Sequence, residues 1–179
     1  MVAVALGFRE QVALLGKRSS LVTIITRPTT APADKRPAIV ILNTGIVHRV
    51  GHHRMYVTLS RMLASTGYNV VRFDFSGIGD SDPGSDSRSP LSASLAEIGE
   101  VLDSVAKSHQ FSNFVLVGLC SGADHAVLYA GGDERVVGLV LMDPTLPPTA
   151  RYYFHYVLQR LFRPRNWLRA HAEITSHDL

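Results

Sequence analysis

The sequence predicts an α/β fold, a mostly parallel sheet of about six strands with helices on both faces. Three observations predict it. Short apolar, β-branched runs recur at 38–42, 114–117 and 136–142, without the alternation of a half-exposed strand. Segments 55–65 and 91–105, which lie between them, carry apolar residues at helical spacing. The three runs break at Asn43, Gly118 and Asp143, residues that favour turns.

The elements follow in order. Segments 10–15 and 21–26 are alternating or β-branched runs joined by Gly16-Lys17-Arg18-Ser19-Ser20, which predicts a hairpin at the start of the sheet. Residues 27–37 hold three prolines and form a polar connector. The strand over 38–42 is apolar on both faces and ends in Asn43-Thr44-Gly45-Ile46. A helical stripe at positions 55, 59, 62 and 63 stops at Gly67. The fourth strand spans 69–75 and reaches Asp74. Leu91, Leu95, Ile98, Leu102 and Val105 form an amphipathic helix opened by Ser89-Pro90. The run 136–142 is the sixth strand.

The chemistry concentrates at 114–124. A buried strand runs into Gly118-Leu119-Cys120-Ser121-Gly122, followed by the helix-compatible run 126–130. Strand, glycine-flanked turn and helix are the context of a nucleophile elbow. Its central residue is held in a strained conformation, so small residues are needed two places to either side. Cys120, the only cysteine in the chain, occupies that centre. Ser121 is an alternative nucleophile one residue out of register. The helix that follows favours a thiolate at its N-terminus.

With these residues in view, the sequence resembles the α/β-hydrolases over about residues 10–150. The GLCSGAD form is similar to a bacterial group of serine-aminopeptidase-like, exosortase-associated hydrolases. Asp74-Phe75-Ser76-Gly77-Ile78-Gly79-Asp80-Ser81 matches the superfamily's D-x-x-G-x-G-x-S turn, with Asp74 bracing it. The resemblance implies an oxyanion hole made by the backbone N–H of Ser121 and that of Ile46, or else Gly45. Ser121 would then act through its backbone. Gly45 and His48 would border the substrate pocket. Asp143, at the carboxyl end of the sixth strand, is either the catalytic acid or a capping residue.

The expected reaction is hydrolysis or acyl transfer at an ester, thioester, lactone or amide carbonyl of a small-molecule substrate. The alternative is a catalytically incomplete hydrolase-fold remnant or binding module. In this family the histidine follows the last strand, whereas here nothing after Asp143 reads as a strand. The chain therefore resembles a C-terminally truncated hydrolase lacking the last strands. An open sheet edge could associate with a partner.

Other chemistry is not expected. His48, His52 and His53 have no cysteine or carboxylate beside them to complete a metal shell. The GxG after the fourth strand lacks the third glycine and the prompt helix of a dinucleotide site, so no cofactor is expected. One cysteine excludes an internal disulfide, and a default cytoplasmic location follows from the absence of a signal or membrane span.

The net charge of +3 is uneven: residues 1–150 carry 13 Lys+Arg and 13 Asp+Glu, while five arginines face Glu173 and Asp178 beyond them. The chain is thus divided into a core over 1–148 and a basic, aromatic helical segment over 149–179, the start of a cap. No nucleic-acid partner is expected. Contact of 151–169 with a membrane surface is a secondary reading.

Overall fold

The computed structural model describes residues 7–30, 36–84 and 88–145. The chain divides into two compact units, Met1–Thr145 and Leu146–Leu179. The expected cap segment lies outside the described residues.

The first unit is a six-stranded sheet with helices on both faces. β1 (Phe8–Leu15) and β2 (Leu21–Pro28) form the hairpin. Then come β3 (Ala38–Ile41), α1 (Met55–Ser65) and β4 (Val70–Phe73). They are followed by α2 (Pro90–His109), β5 (Phe114–Leu119), α3 (Ser121–Ala130) and β6 (Val136–Met142). The spatial order is β1-β2-β4-β3-β5-β6. β1 and β2 pair antiparallel, as do β2 and β4, and the remaining pairs are parallel.

The continuous apolar run of β3 has a direct structural cause. Ala38, Val40 and Leu42 join Ile98, Val101, Leu102 and Val105 of α2 and Ala126 of α3 in one core. Ile39 and Ile41 pack instead with Tyr56, Met55, Leu59 and Leu63 of α1. Each face of the strand thus feeds a separate core, and neither can be polar. The α2 start is as the sequence predicts. Ser89 caps it, accepting the Ser92 N–H at 3.3 Å, and Pro90 takes the first helical position.

Two of the boundaries that differ from expectation bear on the site. β4 ends at Phe73, and the Asp74 side chain enters a buried polar network while its N–H still donates to the Val22 carbonyl at 3.0 Å. α3 begins at Ser121 rather than Ala126, with Cys120 as its N-cap residue. At the other end of the sheet, β6 is an edge strand among the described residues and leaves Val137, Leu139, Val140 and Leu141 exposed.

Candidate active site

The carboxyl ends of β3, β4, β5 and β6 bring the predicted residues to one edge of the sheet. Cys120 joins β5 to α3 with φ 52° and ψ −122°, a region that L-residues rarely enter. Its N–H donates to the Met142 carbonyl at 2.9 Å, which fixes the turn against β6. Its own carbonyl accepts from Ala123 and Asp124, starting the helix. Cys120 is an exposed residue.

Both flanking glycines are required by close approach. A Cβ on Gly118 would lie 2.2 Å from the carbonyl carbon of Gly122. One on Gly122 would lie 2.5 Å from the Asn43 carbonyl oxygen. The turn and the end of β3 are in main-chain contact, and no side chain fits between them.

The loop after β3 is tied to the elbow by two hydroxyls. Thr44 Oγ1 donates to the Leu119 carbonyl at 3.0 Å, and the Gly45 N–H donates to Ser121 Oγ at 2.7 Å. Thr44 Oγ1 also meets the hydroxyl of buried Tyr56, whose phenol is pushed up by burial and so stays protonated. Cys120 is therefore bracketed, with one tie to the residue before it and one to the residue after. The Ser121 hydroxyl, which the sequence reading set aside, is engaged. Among the described residues neither the Ile46 N–H nor the Ser121 N–H has a hydrogen-bond acceptor.

A second network holds the loop from below. Asp74 is fully buried and accepts from Asn43 Nδ2 at 3.2 Å, from the Arg49 main-chain N–H at 2.5 Å and from the Arg49 guanidinium. Arg49 Nη2 also pairs with Asp80 at 2.6 Å. Asn43 Oδ1 accepts the Phe75 N–H, and Asn43 Nδ2 donates to the Val47 carbonyl. Asn43 thus joins the β3 loop to the β4 turn, and Asp74 is a structural hub.

The remaining candidates are dispersed. His48 is exposed and leans on the β4 turn; a Cβ on Gly79 would fall 2.8 Å from its own Cβ. His52 and His53 are exposed, and no group of three or more metal-ligating side chains exists among the described residues. His125 packs edge-on against Phe75, its ring centroid 5.5 Å away. Burial lowers its pKa, so it is held neutral. Asp143 follows β6 with φ 49° and is exposed. Its neighbour in the same loop, Thr145, donates its N–H to Asp124 Oδ1 at 2.7 Å. Among the described residues no helix is long and apolar enough to cross a membrane.

Sequence reasoning missed Thr44, Asn43, Arg49 and Tyr56. A carboxylate at the end of a buried strand does signal a required cation, and that could have pointed to Arg49.

Comparison with known proteins agrees with this architecture. No curated protein sequence matches the chain. The fold is similar to that of a hypothetical protein from Pseudomonas aeruginosa, with a TM-score of 0.64 at 15% identity over 97% of this chain and 56% of that one. It is also similar to DcsB, solved with its substrate analogue, with a TM-score of 0.62 at 21% identity over 90% and 55%. A Pyrococcus furiosus esterase gives a TM-score of 0.62 at 15% identity over 96% and 62%. The chain spans little more than half the length of these structures, and the likeness is one of fold. The family described as Hydrolase_4, "Serine aminopeptidase, S33", matches residues 35–178, four-fifths of the sequence. The chain belongs to this α/β-hydrolase family.

Proposed function

We propose that the protein is a hydrolase or acyltransferase acting through Cys120 on an ester, thioester, lactone or amide carbonyl of a small molecule. One observation carries the reading. The single cysteine stands exposed, at positive φ, between an interior strand and a helix N-terminus, with glycines built into main-chain contact on either side. A merely structural cysteine would be a small buried hydrophobe instead.

The reaction follows from the arrangement. The thiolate adds to the carbonyl carbon, forming the S–C bond and moving the C=O π pair onto oxygen. The N–H groups of Ile46 and Ser121 are the donors for that oxyanion, Gly45 having given its N–H to Ser121. Two fixed donors are worth a few kcal/mol each. Collapse re-forms the carbonyl and breaks the bond to the leaving group, which takes up the proton that the thiol gave up. Water or a second nucleophile then adds to the thioester carbon, the C–S bond breaks as the acyl product leaves, and the proton lost by the attacking nucleophile returns to sulfur and regenerates the thiol. Asp143 is the candidate acid on the same sheet edge, and His48 the loop side chain beside the substrate.

The test is covalent. p-Nitrophenyl acetate is expected to acylate Cys120, seen as a mass shift confined to its peptide, and then to turn over. Cys120→Ala is expected to lose both. Acylation without turnover favours the incomplete-module reading, and acylation elsewhere refutes the assignment.

A further inference from the structure

The loop that carries Gly45 and Ile46 has little packing to hold it. Ile46 is 93% exposed, and a Cβ on Gly45, at φ +52°, would meet nothing within 4 Å. Hydrogen bonds must therefore set its position. The bonds within the loop, Val47 N–H to Thr44 O and Asn43 Nδ2 to Val47 O, fix its shape but not its place relative to the thiol. Asp74 ties the loop to the β4 turn through Asn43 and Arg49, but among the described residues only the Thr44 hydroxyl on the Leu119 carbonyl and the Ser121 hydroxyl on the Gly45 N–H tie it to the residues flanking Cys120.

We propose that the Ser121 hydroxyl is a positioning residue for acyl transfer: by accepting the Gly45 N–H it registers the loop against the elbow, with Thr44 as its counterpart on the other side. The inference rests on Cys120 being the acylated thiol. It also gives a physical reason for a hydroxyl next to the nucleophile that does no chemistry itself. The Gly45 N–H is consumed as the tie, which leaves the Ile46 N–H as the loop's donor to the oxyanion.

Two reactions of the same thiol separate this role from a general structural one. Acylation by p-nitrophenyl acetate passes through an oxyanion and alkylation by iodoacetamide does not. Both rates are measured across pH for the wild type, Ser121→Ala and Ser121→Thr. A donor displaced by about 1 Å loses up to about a hundredfold, so Ser121→Ala is expected to slow acylation by roughly tenfold or more while alkylation is unchanged. Ser121→Thr, which keeps the hydroxyl, is expected to restore most of the rate. Should Ser121→Ala fail to fold, Thr44→Val in a Tyr56→Phe background removes the other tie without leaving the phenol unpaired. It is expected to show the same split. Equal losses in both reactions, or none in either, overturn the proposal. A wild-type Cys120 that alkylates but never acylates refutes the functional reading beneath it.

Discussion

Replacing Gly118 by alanine tests whether the turn at Cys120 is set by main-chain contact. The new Cβ would lie 2.2 Å from the carbonyl carbon and oxygen of Gly122 and 2.4 Å from the Ala123 nitrogen. All three atoms belong to the first turn of α3, which the Ala123 and Asp124 N–H groups pin to the Cys120 carbonyl at 2.9 and 3.2 Å. Non-bonded heavy atoms settle near 3.5 Å, so the helix must retreat by about 1 Å or more. Overpacking ordinarily costs about 1–3 kcal/mol, and backbone cannot rotate aside as a side chain can. The upper end, about 3 kcal/mol, lowers Tm by roughly 6–12 °C in a chain of this size.

Gly131→Ala supplies the control. Gly131 has φ −66° and open space where a Cβ would go. That substitution is expected to be neutral or to stabilise by about 0.4–1 kcal/mol. Calorimetric melts of the two variants make the comparison. A Gly118→Ala protein that melts with the Gly131→Ala protein would refute the idea that close approach builds the elbow.

Two other outcomes follow from charge. Arg49→Leu leaves buried Asp74 without its cation and is expected to cost about 3–5 kcal/mol by urea unfolding; a loss below about 1 kcal/mol would show that Asn43 and the main-chain donors suffice. The Arg135 guanidinium, aided by the Tyr129 hydroxyl, holds the Asp133 carboxyl well below the usual carboxylate range. Its folded pKa is depressed, so its contribution is complete above about pH 4 and fades as pH falls through the folded value. Asp133→Asn is expected to flatten the acid limb of stability below that point, read from urea midpoints between about pH 2 and 5. An unchanged limb would remove Asp133 from the account.

Much of the architecture was legible because burial imposes it residue by residue. The run 38–42 is apolar throughout because two cores meet across it, and 91–105 is striped because α2 buries one side alone. Ser89-Pro90 declared a helix start through local chemistry, and the glycines around Cys120 declared a turn. The start of α3 was not legible, since Ser121-Gly122-Ala123-Asp124 has no apolar stripe. The Gly122–Asn43 contact that lets the helix begin there joins distant parts of the chain. The Ser121–Gly45 bond likewise spans 76 residues, and neither partner carries a local sign of the other. Asn43 was hidden for the same reason, and Asp74, which follows another strand, signalled a cation without saying that it is Arg49.

The conformation of Cys120 bears on how this position can change over generations. At φ 52° and ψ −122° any L-residue is strained, by about 1–3 kcal/mol, and a β-branched one is the least tolerated. The turn is held by Gly118, Gly122 and the Met142 carbonyl, all of them through the main chain. None of these contacts uses the side chain at position 120. A substitution at position 120 therefore leaves every one of these main-chain contacts in place.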